Sequence, residues 1–124
     1  AIVRYFARFD IEGIVMGGLS VPGQQDALYT TSLRALDDVS YMQVYQYCKA
    51  GFQALKRPVD AIYINGGGWD APPAIDMLER DLGTKVVFAL AAEMWATYRR
   101  LAIDPVIGDC GLLFRDNPVV PVRR

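Results

Sequence analysis

Two strand-turn-helix units follow one another in the second half of the chain. The apolar run "VDAIYI" (residues 59–64) precedes three glycines and a helical pattern, and "KVVFAL" (residues 85–90) precedes another. Apolar runs of this length, bounded by Pro and Gly, are typical of strands that are buried on both faces. Strands that alternate with helices through short turns predict a parallel sheet with helices on both sides, the doubly wound α/β arrangement.

The sequence of the first part of the chain predicts a helix, a strand and a loop, in that order. Residues 11–20 ("IEGIVMGGLS") indicate a short buried strand that ends in glycines, and residues 21–38 indicate a loop around one weak helical turn. No N-cap precedes the first helical pattern, so we expect the sequence to begin partway through a longer protein whose upstream residues add a further strand. The helical spacing at the start involves Ile2, Val3, Phe6 and Phe9.

The second helix has a recognisable start and stop. Ser40 followed by Gln43 is a capping-box pattern, and Pro58 ends the helical pattern that begins there. Its apolar face predicts that Cys48 is a small core residue, because a reactive thiolate needs a partly exposed, electropositive setting. The face comprises Tyr41, Val44, Tyr45, Cys48, Phe52 and Leu55.

The last two helices follow the glycines and the final strand. Asp70 is the predicted N-cap of the first, Pro72 and Pro73 suit its first turn, and Gly83 ends it. The second spans the apolar positions from 91 to 101, and the tail from Asp104 onward is predicted to be a loop. The apolar stripes are Ile75, Leu78 and Leu82 in the first helix, and Ala91, Met94, Trp95, Tyr98 and Leu101 in the second.

Charge and hydropathy exclude several kinds of partner. Thirteen basic and fourteen acidic residues give a net charge of -1 without a basic block, which argues against nucleic acid and against an anionic membrane surface. No apolar run approaches the ~20 residues that span a bilayer, and no signal-peptide pattern is present. The cytoplasm is therefore the predicted location.

The residue inventory restricts the chemistry. The chain has no histidine, which excludes a Ser-His-Asp triad, a Cys-His pair and any histidine-ligated metal site. The two cysteines, Cys48 and Cys110, lie far apart in an apolar chain and are expected to be reduced thiols. Cys110, beside Asp109, is interpreted as an ordinary loop thiol.

Ligands of doubly wound sheets bind beyond the carboxyl ends of the strands. We call this region the carboxyl edge and expect it to gather three segments: Gly17 with Gly18, residues 65–68, and residues 88–90. The glycines at 66–68 fit neither a dinucleotide-binding motif nor a Walker loop. They could form only a tight corner, or their N–H groups could bind a carboxylate or an enolate-like oxyanion. The candidate binding residues are Asn65, Gly66, Gly67 and Gly68.

Four passages, in their amino-acid sequences and in their order, resemble members of the aspartate/glutamate racemase superfamily, especially its maleate isomerase and arylmalonate decarboxylase branch. The passages are "RYFARFDIEGIVMGGLSV", "VSYMQVYQYCKAGFQAL", "DAIYINGGGWDAPPAIDMLERDLGTKVVFALAAEMWATYRRLAI" and "GDCGLLF", which together cover most of the chain. The resemblance implies two flavodoxin-like halves related by pseudo-twofold symmetry, with a small dicarboxylate or arylmalonate between them and no cofactor. This chain is similar to the second half.

The sequence departs from the family pattern at two places on the carboxyl edge. The family cysteine that donates a proton or acts as nucleophile corresponds to Gly66, which carries no acid. Serine or asparagine, common after the next strand in the family, is replaced by Phe88, Ala89 and Leu90. Either the upstream half or a second subunit supplies the active thiol, or the fold persists as a noncatalytic carboxylate-binding or oligomerisation module.

If the fold is a noncatalytic module, the apolar residues Trp69, Phe88 and Leu90 would pack against a partner. An unpaired sheet edge would also favour a homo-oligomer, because exposed N–H and C=O groups seek partners.

Overall fold

The computed structural model describes residues 2–14, 17, 39–66, 70–105, 107–108 and 110–116, in which helices and strands alternate from residue 41 to residue 101. The elements in these ranges are α1 (Ile2–Ala7), α2 (Tyr41–Ala54), β1 (Ala61–Ile64), α3 (Pro72–Leu82), β2 (Lys85–Phe88), α4 (Ala89–Leu101) and α5 (Gly111–Asp116).

The two strands run parallel and in register. Ala61 lies opposite Lys85, and Ile64 lies opposite Phe88. Parallel neighbours need a crossover connection, and α3 provides it. The predicted α/β class with parallel pairing is therefore confirmed for the described residues, which contain a two-stranded sheet.

The predicted first strand is not present in the part of its range that is described. Residues 11–14 have no regular secondary structure, and Ile11 is 51% exposed. Residues 15, 16 and 18–20 lie outside the described residues, as does the whole predicted loop at 21–38. The predicted helix before it is confirmed as α1. It ends at Ala7, and Asp10, three residues later, adopts a left-handed φ of 58°.

The capping box at the start of α2 is confirmed. The Ser40 N–H donates to Gln43 Oε1 at 2.9 Å, and the Gln43 N–H donates to Ser40 Oγ at 3.4 Å. The helix ends at Ala54 because Leu55 is extended, with φ -70° and ψ 133°. It thus stops before Pro58 is reached.

Replacing Ser40 with alanine is expected to lower the free energy of unfolding by about 1 kcal/mol, because the Gln43 N–H loses the Ser40 hydroxyl as acceptor and keeps only the Ser40 carbonyl. Urea unfolding followed by circular dichroism measures the change. Gln46→Ala, at an exposed position inside the same helix, is the matched control and should change stability by only about 0.5 kcal/mol or less. Equal effects of the two changes would contradict the capping role.

The N-cap of α3 is Ala71 rather than the predicted Asp70, and no side chain caps this helix. The reason is that few N–H groups remain there to be capped. Pro72 and Pro73 lack an N–H, and the Ala74 N–H donates to the Ala71 carbonyl at 2.9 Å. At the other end, Gly83 adopts the predicted left-handed conformation, with φ 61°.

The core lies between α3 and β2. Its largest fully buried side chains are Phe88, Ile75, Leu78 and Val86. In contrast, β1 is not buried on both faces as predicted: its burial alternates along the strand, and Tyr63 is 42% exposed. Tyr63 packs edge-on against Phe6 of α1 with ring centroids 5.0 Å apart, so α1 covers part of that face.

The second strand is shorter than predicted, because it passes directly into α4. Phe88 is the last extended residue, with φ -94° and ψ 130°, and Ala89 and Leu90 already belong to the helix. Ala91 is the only buried residue of α4, so most of the predicted apolar stripe is not in the core.

The short helix α5 was not predicted, and a buried carboxylate holds it in place. Glu79 Oε1 accepts the Val86 N–H at 3.1 Å, and Oε2 accepts the Leu112 N–H at 2.8 Å. One side chain of α3 therefore joins β2 to α5, while Gly111, with φ 70°, makes the turn between the preceding loop and the helix. The predicted loop from Asp104 onward is wrong for residues 111–116.

Candidate functional site

The ends of the two parallel strands define the carboxyl edge. Ile64 and Phe88 are register partners, so Asn65 and Ala89 each follow one of two neighbouring strand ends. The structure thus brings together two of the three segments that the sequence predicted to meet there. Gly17 lies against the Tyr47 hydroxyl on α2, and Gly18 is outside the described residues.

Asn65 is an exposed side chain whose orientation is set by a hydrogen bond. The Tyr63 hydroxyl donates to Asn65 Oδ1 at 3.2 Å. This bond uses the amide oxygen, and no described residue accepts from the amide nitrogen, which carries two N–H donors. The residue can therefore present donors to an anion at the carboxyl edge.

Gly66 shows why glycine follows the strand. Its φ of 100° is a conformation that residues with a Cβ rarely adopt. This agrees with the tight-corner interpretation of the first glycine, and it leaves the carboxylate interpretation open. Gly67, Gly68 and Trp69 lie outside the described residues.

Two helices begin near this edge, but they differ in their free backbone donors. The first two residues of α3 are prolines, so its N-terminus offers few N–H groups. The N-terminus of α4 has no side-chain cap, and the N–H groups of residues 90 and 91 have no partner within the helix, whereas the register of Ile64 with Phe88 uses the Ala89 N–H in the sheet. At the end of β2, the carboxyl edge therefore receives its partial positive charge from the N-terminus of α4.

No thiol among the described residues replaces the one missing at Gly66. Cys48 packs against the core as predicted, and burial raises the pKa of its thiol, which keeps it protonated. Cys110 also packs against the core, and the next residue, Gly111, lies against α3. Both thiols are half-buried and reduced.

The predicted apolar surface of the edge is only partly present. Phe88 is 1% exposed, so its side chain is part of the core. It cannot contact a partner, and the prediction that it would do so is wrong. Leu90 is 37% exposed and remains available.

A second polar cluster, which sequence reasoning missed, links α2 to the last turn of α3. The Tyr45 hydroxyl donates to Asp81 Oδ2 at 2.5 Å, and Lys49 Nζ donates to the Tyr45 hydroxyl at 2.6 Å. The hydrogen bond from Tyr45 is the main cause that lowers the pKa of Asp81, and the bond to Tyr45 raises the pKa of Lys49. Lys49 therefore stays protonated and is unsuited to act as a base.

The position of this cluster separates it from the carboxyl edge. Asp81 lies at the end of α3 that leads into the start of β2, whereas the candidate binding residues follow the ends of the strands. The i to i+4 spacing of Tyr45 and Lys49 is visible in the sequence, but their distance along the chain from Asp81 gives no local signal. We interpret the cluster as a link between helices.

The described residues contain no group of three or more Cys, Asp or Glu side chains arranged to hold a metal ion. Within the same residues, no helix combines the length and the apolar character that crossing a membrane requires.

No family model, curated protein or solved structure matches this chain significantly. The resemblance to the aspartate/glutamate racemase superfamily therefore rests on the sequence passages alone.

Proposed function

We propose that this chain contributes the carboxylate-binding part of the active site of a cofactor-independent isomerase, racemase or decarboxylase that acts on a small carboxylic acid in the cytoplasm. The observation that carries the proposal is the uncapped first turn of α4 beside Asn65 and Gly66 at one sheet edge. We also propose that the two strands belong to a doubly wound, flavodoxin-like domain. This domain would be one of two halves related by pseudo-twofold symmetry.

The donors at this edge suit both the ground state and the intermediate of such a reaction. The N–H groups of residues 90 and 91 and the amide nitrogen of Asn65 would donate to a substrate carboxylate, which the helix dipole also favours. Removal of a proton next to that carboxylate, loss of a second carboxylate on the same carbon as carbon dioxide, or addition of a nucleophile to the double bond of a maleate-like acid moves an electron pair onto its oxygens. The same N–H donors stabilise the resulting enolate-like charge.

The proton itself has to be moved by another group. Gly66 has no side chain, and the two cysteines pack against the core. We therefore assign proton transfer to a residue of an upstream half or of a second subunit that completes the site. Maleate-like or arylmalonate-like acids are the substrates that the resemblance suggests.

A noncatalytic carboxylate-binding or oligomerisation module is the second candidate. The observation that favours it is the same lack of a thiol, since a site that kept only its N–H donors would still bind a carboxylate.

Binding is tested by titrating the protein with maleate and with phenylmalonate while recording amide NMR spectra. We expect shifts at Asn65, Gly66 and residues 89–91. Asn65→Asp should weaken binding at least about tenfold, because it places a carboxylate against a carboxylate and removes two donors. Gln53→Glu makes the same change at an exposed position of α2 and should leave binding unchanged.

The two candidate functions are separated by the same titration in D2O. Deuterium incorporation, isomerisation or loss of carbon dioxide supports the enzyme. Binding without any turnover in the complete protein supports the module, and equal effects of Asn65→Asp and Gln53→Glu would contradict both.

A further inference from the structure

Helix α4 presents an apolar stripe that the described chain does not cover. Leu90 and Met94 are 37% and 36% exposed, and Leu101 is 60% exposed. With Thr97, these residues occupy positions 90, 94, 97 and 101, which alternate steps of four and three. This is the spacing of a seam between two packed helices. We call these four residues the α4 stripe.

Two opposite charges lie along one side of the α4 stripe. Glu93 and Arg100 are exposed and seven residues apart, so they lie on the same side of the helix, two turns from each other. At 100° per residue this side is the one away from the buried Ala91. The Thr97 hydroxyl donates to the backbone carbonyl of Glu93, but no described residue forms an ion pair or a hydrogen bond with the side chain of Glu93 or of Arg100.

We infer that the α4 stripe binds the α4 stripe of a second copy of this chain, with the two helices antiparallel across a twofold axis. In an antiparallel pair, the same sides of the two helices adjoin. Glu93 of each copy then lies near Arg100 of the other copy, which gives two symmetric ion pairs, and the two halves of the apolar seam cover each other.

The charge pattern selects this orientation. A parallel pair would place the side with Glu93 and Arg100 against the other side of the partner helix, where Ala91 and Tyr98 lie. Neither charge would then have an opposite charge to pair with, so the parallel arrangement is disfavoured.

The expected dimer is weak. Each copy contributes one helix of 13 residues, and contacts of that size fall at the low end of specific interfaces. We expect a dissociation constant on the order of 10–100 μM, so the dimer forms at high protein concentration.

Sedimentation velocity of the full chain, from about 5 to about 500 μM, tests the inference. The unmodified protein should show a monomer-dimer equilibrium. Met94→Glu should weaken it at least about tenfold, because it places two carboxylates in the seam. The control is Met42→Glu on α2, which is 37% exposed and should leave association unchanged.

Charge reversals test the orientation independently of Met94. Glu93→Arg alone and Arg100→Glu alone should each weaken the dimer several-fold, because each creates two like-charge contacts. The double variant exchanges the two charges and should restore the dissociation constant to within about twofold. Circular dichroism verifies that each variant is folded, and the charge reversals decide the question if Met94→Glu does not fold.

A chain that stays monomeric throughout the concentration range would overturn the inference. A dimer that Met94→Glu leaves intact, or one that the double charge exchange does not restore, would overturn it as well. None of these outcomes depends on carboxylate binding, so the inference and the proposed function fail separately.

Discussion

Replacing Glu79 with alanine is expected to lower the free energy of unfolding by about 3–5 kcal/mol. The Glu79 side chain is 4% exposed, and its two oxygens accept the N–H groups of Val86 and Leu112. Alanine removes the Glu79 oxygens that accept these two N–H groups, of which that of Val86 is buried, and opens a cavity between α3, β2 and α5. Urea unfolding followed by circular dichroism gives the difference.

Two further variants show which part of Glu79 matters. Glu79→Gln keeps the shape but has one acceptor oxygen, so it should cost about half as much as alanine. Arg115→Ala should cost only about 1 kcal/mol or less, because Arg115 is 56% exposed and lies 3.8 Å from Glu79 Oε2. If Arg115→Ala were as damaging as Glu79→Ala, the ion pair rather than the two backbone hydrogen bonds would hold α5.

Replacing Gly111 with alanine is expected to lower the free energy of unfolding by about 2–4 kcal/mol. Gly111 has a left-handed φ of 70°, and an added Cβ would lie 2.5 Å from Ile75 Cγ2 and 2.8 Å from Glu79 Oε2. The new methyl group must displace a core side chain or the carboxylate that accepts the Leu112 N–H. The same unfolding experiment measures the loss.

Gly108 provides the matched control for Gly111. It lies in the same loop, is exposed, and has open space where a Cβ would be. Gly108→Ala should therefore change stability by only about 0.5 kcal/mol or less. Similar losses at the two positions would mean that the loop tolerates no side chain at all, and would contradict the specific contact with α3.

These two changes also bear on the candidate site. Glu79 holds the Val86 N–H, and Val86 is part of the strand that leads directly into α4. The first turn of α4 supplies the N–H donors of the proposed carboxylate site, so a loosened β2 should also weaken carboxylate binding. Asn65, which follows β1, makes no hydrogen bond with α5 among the described residues.

Features that depend on neighbouring residues were predicted well. The capping box needs only Ser40 and Gln43, and the left-handed end of α3 needs only Gly83, because each is set by hydrogen bonds within one turn. The predicted Asp70 cap failed for an equally local reason. The two prolines that follow it remove the N–H groups that a cap would accept.

Features that depend on distant residues were missed or predicted wrongly. The contacts of Glu79 with Leu112 and of Tyr45 with Asp81 join residues 33 and 36 positions apart. The buried faces of β1 and α4 depend in the same way on which elements pack against them. The prediction of three segments at the carboxyl edge is met for two of them, because the register of β1 and β2 decides what lies side by side.

The sequence by itself determined the α/β class, the parallel pairing, the capped start of α2 and the glycine end of α3, because periodicity, capping and backbone conformation act over a few residues. Only the tertiary structure decided three other features: that α4 rather than α3 offers free N–H groups at the carboxyl edge, that a buried Glu79 anchors α5, and that the α4 stripe is exposed. The physical reason is that burial and hydrogen-bond partnership are properties of residues brought together by folding, and no spacing along the chain encodes them directly.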